Sequence, residues 1–310
     1  MQNRFRTALF LFAIPSMILS ACGAMITPDN RSGNPLKVLA VESFLADIAQ
    51  NVAGKRVKVD TLMPAGIDPH AYQPTPQDVA RIVNSQVLII NGAHFEEWLD
   101  ETLQNAGGDP ILIEASAGLS SRKPSANEAL DPDHEGDPHF WLDPTKVISY
   151  VENLREGLTK VDPEGADIYT ANAEQYIADL VELDNWIMAQ VSQIPPEKRL
   201  LVTNHESFGY FADRYGFKIA GTVIPSTSSE ASPSAQQMAA LIDTIRQMDV
   251  RAIFLETGAN SKLADQVAQE TGAKVVTNLY THSITAGGGE ASSYIEMMKH
   301  NVSLIVEALK

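Results

Sequence analysis

Seven histidines are spread along the 310-residue chain, at His70, His94, His134, His139, His205, His282 and His300. An imidazole standing alone is most often an ordinary surface or core side chain, so position decides which of them matter. His70 lies in the loop MPAGIDPHAYQP after a short apolar run, His205 two residues beyond the run 200–203, and His282 just past the run 274–277. His139 closes a long polar segment, in DPHFWLDP, immediately before a helical stretch. If the runs are parallel strands, these four face the rim beyond the strands' carboxyl ends, where open α/β sheets bind ligands. Neutral imidazole suits zinc, and four donors close a tetrahedral shell at about 2.0–2.1 Å. His300 reads as exposed on a C-terminal helix and His94 as structural or surface. His134, in the acidic stretch DPDHEGD, reads as a solvated side chain, with a part in gathering metal as the alternative.

Other chemistries lack their residues. His134-Glu135 and His205-Glu206 have no second histidine four positions on, so the helical zinc-protease pattern is missing. No G-x-S-x-G, Walker A or G-x-G-x-x-G occurs either. Four protein donors would leave no open position for a catalytic water, which weighs against a zinc hydrolase. The single cysteine excludes an internal disulfide and any Cys-rich metal site. A net charge of −16 argues against nucleic acid and anionic lipid surfaces as partners and suits the collection of cations.

The elements that must position these residues alternate between strand and helix. Strands are expected at 36–41, 57–62, 87–91 and 111–114 in the first half, and at 200–203, 218–223, 252–256 and 274–277 in the second. They read as continuous apolar runs, as strands buried on both faces do. The fold class is α/β: two lobes, 36–161 and 196–310, each a four-stranded mainly parallel sheet flanked by helices. Between them, 162–195 reads as one long rigid helix. Asp162 is placed to cap it, Pro163 to open it, and Tyr169, Ala173, Tyr176, Leu180, Leu183, Ile187, Val191 and Ile194 form a single apolar stripe. Residues 115–138, rich in Ser, Pro, Asp and Glu, read as a mobile surface loop of the first lobe.

The first 21 residues read as a signal peptide: Arg4 and Arg6, a short apolar run over 8–19 broken by Pro15, then small residues. Leu19-Ser20-Ala21-Cys22 resembles the lipobox of bacterial lipoproteins, which makes Cys22 the lipidated N-terminus and 22–35 a tether.

Six ordered segments (DPHAYQPTPQDV, NGAHFEEWLD, DPHFWLDP, TNHESFGYFADRYG, PSAQQMAALI and IFLETGANSKLADQVAQETGAKV) resemble the signature segments of the zinc/manganese-type, ZnuA-like solute-binding proteins of bacterial ABC importers. The resemblance runs from about residue 36 to the C-terminus. It implies two α/β lobes bridged by a rigid helix, with a metal ion held between them. It also implies an exported, membrane-anchored, monomeric lipoprotein that hands its ion to an ABC permease. Residue by residue, it carries the metal-ligand role onto His70, His139 and His205. Where the family has Asp in a stretch of the form LYxDS, this chain has LYTHS, so His282 stands in that place. His282 binding through a ring nitrogen is one reading; three histidines with a water or a carboxylate such as Glu206 is another. Glu256, at a strand end, is a candidate to orient an imidazole from behind. Nitrogen donors point to zinc ahead of manganese. The alternatives are a manganese- or iron-binding protein of the same family, a surface adhesin or, further off, a zinc hydrolase.

Overall fold

The computed structural model describes residues 35–122, 136–229 and 231–310. Residues 36–310 form one compact unit. Its first sheet contains β1 (Val38–Ala40), β2 (Val59–Thr61), β3 (Val87–Ile90) and β4 (Ile111–Glu114), in the order β2-β1-β3-β4 and all parallel. Its second contains β5 (Leu200–Thr203), β6 (Lys218–Thr222), β7 (Ala252–Glu256) and β8 (Lys274–Leu279), in the order β6-β5-β7-β8, also all parallel. The helices are α1 (Ser43–Ala53), α2 (Pro76–Val83), α3 (Glu97–Ala106), α4 (Pro144–Val161), α5 (Ala166–Val191), α6 (Gly209–Tyr215), α7 (Ala235–Met248), α8 (Lys262–Thr271) and α9 (Tyr294–Leu309). The architecture is the two-lobed α/β one expected, with eight strands at the eight apolar runs.

Burial on both faces holds for the central strands and fails at the edges. All of β7 is buried, whereas Ile111 and Leu112 of β4 are 53% and 47% exposed. An edge strand lacks a neighbour on one side, so an apolar run alone does not guarantee a covered face. α4 is the helical stretch expected after His139, and α9 the C-terminal helix expected around His300.

The joining helix, α5, starts later than its capping signals suggest. Asp162 does not cap it: its carboxylate takes Arg56 through Nε at 2.5 Å and Nη2 at 2.7 Å, and the Tyr169 hydroxyl at 2.5 Å. Pro163–Gly165 form a 3-10 turn and α5 begins at Ala166. The apolar stripe is buried as expected, from Tyr169 through Val191 and on to Ile194 beyond the helix end. At 26 residues the helix is about 39 Å long. Asp184, unplanned in that stripe, is buried and takes Arg214 at 2.6 Å and Tyr215 at 2.9 Å, which docks α6 on α5.

Under the first sheet's carboxyl edge sits a buried carboxyl pair. Glu42, at the start of α1, and Glu96, at the start of α3, are 1% and 7% exposed. Glu96 accepts the backbone N–H groups of Asn91 at 2.5 Å and Gly92 at 3.1 Å. Burial, followed by the charge of Glu96, pushes Glu42 well above the ordinary carboxylate range, and burial raises Glu96 to about 7. Both groups therefore hold protons more tightly folded than unfolded. Their contribution to stability is full below the unfolded carboxyl value of about 4.5 and is lost as pH rises above it, for Glu96 through about 7. Glu42→Gln should flatten that decline and stabilise the chain at pH 7 by about 1–3 kcal/mol. Denaturant midpoints at pH 5 and pH 7 check this; a variant with the same pH slope as the native chain would refute the assignment.

Candidate metal centre

Each of the four histidines reaches the same point from a different element. His70 follows β2 in an irregular loop; His139 opens the 3-10 turn Phe140–Leu142 ahead of α4; His205 follows β5; His282 follows β8. One ring nitrogen from each lies within 4.8 Å of the others, and three of the four residues are buried, His70 being partly so. Nε2 of His139 is 3.4 Å from Nε2 of His70 and 3.4 Å from Nε2 of His205. A tetrahedron of nitrogens about 2.0–2.1 Å from its centre has edges of about 3.3–3.4 Å, so two of the edges already have that length. Nε2 of His282 is buried with no hydrogen-bond partner among the described residues. A buried lone pair without a donor is costly unless a cation faces it.

Carboxylates lie behind the ring or backbone of these histidines, and at His139 one of them holds the outward ring nitrogen, the contact that leaves Nε2 free to face inward. Asp137 Oδ1 lies 2.8 Å from Nδ1 of His139 and accepts that residue's backbone N–H at 3.0 Å. Asp68 Oδ1 accepts the backbone N–H of His70, also at 3.0 Å. The tripeptide Asp-Pro-His thus occurs twice with one turn geometry, once for each ligand candidate of the first lobe. Glu256 sits behind both histidines of the second lobe, 2.7 Å from His205 Nδ1 and 3.4 Å from His282 Nδ1. The His205 contact is one of charge rather than of hydrogen-bond alignment. His282 Nδ1 also meets the Thr281 hydroxyl at 3.1 Å.

The charges follow from this arrangement. Burial disfavours ionised Glu256, but the two imidazoles facing it outweigh burial and bring it down to about 2. Burial pulls His205 down, and the Glu256 carboxylate more than reverses that, so His205 ends raised. His282 ends lowered, because burial and the neighbouring His205 outweigh the same carboxylate. Glu256 therefore brings a negative charge up against both second-lobe imidazoles.

Aromatic rings wall the cluster. Phe95 stands edge-on to His70 at 5.1 Å between centroids and packs on Trp141 at 4.9 Å. Trp141 Nε1 donates to the Thr281 carbonyl at 2.6 Å, tying the first lobe to the residue before His282. Ala93 and His94 adopt left-handed backbone, with φ of 52° and 60°, which aims Phe95 inward while His94 itself is exposed.

The remaining sequence candidates divide. Glu256 is where an orienting carboxylate was expected. Glu206 does not join the cluster: His205 is fully buried and Glu206 only partly so, and the Glu206 backbone N–H is taken by the Ser226 carbonyl at 2.9 Å. His300, expected exposed, is partly buried on α9, lies near Tyr280 at 5.2 Å between centroids and bonds the Asn278 carbonyl at 3.0 Å, and it does not join the cluster. His134 and Cys22, with the signal segment and the centre of the 115–138 loop, lie outside the described residues. Asp68, Asp137, Phe95 and Trp141 were not singled out from sequence, although the repeated Asp-Pro-His was there to find the first two.

Two parallel α/β lobes joined by a long helix, with a nitrogen-rich cage at their junction, define a solute-binding protein for a metal ion. The chain belongs to the ZnuA family, zinc-uptake complex component A, periplasmic, whose profile matches residues 38–308. It is 35% identical, over 97% of each chain, to the manganese-binding lipoprotein MntA of Halalkalibacterium halodurans. Among solved structures it resembles an Mn-bound periplasmic metal binding protein from Candidatus Liberibacter asiaticus, with a TM-score of 0.78 and 30% identity over 89% of this chain and 100% of that one. It also resembles the periplasmic zinc binding protein TroA from Treponema pallidum, with a TM-score of 0.78 and 28% identity over 89% and 99%. The chain is a metal-binding component of an ABC importer and not an enzyme.

Because Glu256 serves two imidazoles at once, Glu256→Gln should weaken divalent-metal affinity by roughly 10–100-fold while circular dichroism stays native. Titration against a competing chelator measures this; native affinity in the variant would remove Glu256 from the centre.

Proposed function

We propose that the chain captures a divalent first-row transition-metal ion outside the cytoplasm through His70, His139, His205 and His282, and passes it to an ABC permease. Convergence of four imidazole nitrogens from both lobes on one point carries this reading. Manganese is the cargo that the relatives support: MntA is named for it, and the Liberibacter structure holds it. Zinc is the second reading, favoured by the donor set, since four nitrogens and no ligating carboxylate suit a borderline ion better than a hard one. The resemblance to TroA points the same way. Asp137 and Glu256, at the back of three imidazoles, with Asp68 on the His70 backbone, bring negative charge that a ligating Asp would otherwise supply, and this narrows the disadvantage for manganese.

The segment before residue 36 fits export and lipidation at Cys22, in keeping with a relative named as a lipoprotein. The domain reading assigns residues 1–21 to the signal and 22–35 to the tether. It places the lobes at 36–161 and 196–310, either side of the joining segment 162–195. A monomer suffices, because one chain supplies every donor.

His70→Ala and His139→Ala should each lower affinity for Mn2+ and Zn2+ by at least about 100-fold without unfolding the protein. Isothermal titration with each metal reads this, and unchanged binding in both variants would reject the site. His282→Asp should shift the zinc-to-manganese affinity ratio toward manganese by about tenfold. An unchanged ratio would place His282 outside the coordination shell. Metal content of protein recovered from its native host distinguishes the two cargoes.

A further inference from the structure

Behind His139 the Asp137 carboxylate continues outward. Its Oδ1 holds the histidine, while its Oδ2 faces Nη1 of Arg122 at 3.8 Å. The Arg122 side chain is only 9% exposed, and its Nε donates to Asp213 Oδ2 on α6 at 2.9 Å, with Nη2 at 3.4 Å from Oδ1. The backbone joins in: Arg122 N–H donates to the Tyr210 hydroxyl at 3.1 Å, and that hydroxyl donates to the Asp137 carbonyl at 2.7 Å. The guanidinium lies flat over Gly209, where a Cβ would stand 2.4 Å from Nη1 and 2.6 Å from Cζ. Arg122 and Asp137 belong to the first lobe, whereas Gly209, Tyr210 and Asp213 belong to the second and are one turn of α6. A buried arginine shared by two carboxylates is a rigid, planar connector that lysine cannot copy.

We propose that Arg122 is a positioning residue for metal retention: a latch that bridges the lobes and, through Asp137, holds the His139 imidazole in its binding orientation. Opening the lobes withdraws α6, Arg122 loses Asp213 and its seat on Gly209, and Asp137 loses the cation that keeps its carboxylate aligned. Separation of the lobes is thereby converted into loosening of one ligand, which suits a carrier that must hold its ion tightly and then give it up. The latch rests on the metal-capture reading above.

The test is the rate at which full-length protein loaded with Mn2+ or Zn2+ alone yields its ion to excess chelator. Arg122→Ala should speed release by about tenfold or more, in the range seen when outer carboxylate partners of ligands are lost. Arg122→Lys should recover only part of the native rate. Asp213→Asn, at a 61% exposed side chain remote from the ligands, should speed release by about threefold and guards against a folding defect at position 122. The metal-free melting temperature should move little in Asp213→Asn, which separates retention from general stability. In an Asp137→Asn background, Arg122→Ala should add less than twofold, because both changes cut one path. Native release rates in Arg122→Ala and Asp213→Asn, or full additivity with Asp137→Asn, would overturn the latch. A His139→Ala control that keeps native retention would reject the metal site, and the latch with it.

Discussion

Four imidazole rings crowded onto one point inside a protein are costly to hold together. The Nε2 atoms of His70, His139 and His205 stand 3.4 Å apart along two edges, and that of His282 is buried without a hydrogen-bond partner among the described residues. Such an arrangement persists only if the scaffold over-determines it and an ion rewards it. Much of the surrounding structure supplies that over-determination. The Asp-Pro-His turns fix two backbones, Glu256 fixes two rings, and Phe95 with Trp141 closes the wall. Two of the nitrogen–nitrogen edges already have the length a tetrahedral ion needs, so little rearrangement is required to bind one, which keeps the ordering cost small.

The same constraint accounts for the way the lobes are tied. A clamp built from separate lobes has to keep donors from drifting apart by more than a few tenths of an ångström. Trp141 reaches the Thr281 carbonyl, Tyr294 on α9 reaches the Trp141 carbonyl at 2.6 Å, and the Tyr294 N–H reaches Asp47 on α1 at 2.8 Å. The Gly66 N–H meets the Ser283 hydroxyl at 3.0 Å, and the Ile284 N–H meets that of Ser43 at 3.0 Å. The α5 helix, buried along its whole apolar stripe, adds a stiff strut of about 39 Å. Many short bonds across one junction favour small rocking motions over wide opening, so small changes at a ligand must suffice for release.

What could be read from the sequence follows the range of each signal. The eight strands were legible because apolar runs report burial directly, and the four histidines because strand ends predict where a ligand crevice lies. The stripe on α5 was legible because it is periodic. Its start was not, because Asp162 looked like a cap in local sequence while Arg56, 106 residues away, had claimed the carboxylate. The exposure of Ile111 and Leu112 was hidden for a related reason: whether a strand is at an edge depends on the order β2-β1-β3-β4, which no local window contains. Asp68 and Asp137 were visible as a repeated tripeptide but acquire meaning only when both turns converge on one point.

The choice of ion turns on charge as much as on donor type. Exchanging a ligating Asp for His282 removes a negative charge from the shell, and on donor chemistry alone that moves the site toward zinc. Yet Glu256 lies 3.4 Å behind His282 and 2.7 Å behind His205, fully ionised and shared by both. Its charge acts on the ion at one imidazole's remove, in a buried setting where electrostatic interactions are poorly screened. Two nitrogen–nitrogen edges fit a tetrahedral ion, while carboxylates such as Glu256 supply charge without setting geometry. A site of this kind binds by charge what availability provides and discriminates by shape, so cargo identity depends on how far the four rings can spread to accept further oxygen ligands. His70 is the ring with the least cover of the four. Widening at His70 would admit water and favour manganese; a locked His70 would keep the tetrahedron and favour zinc.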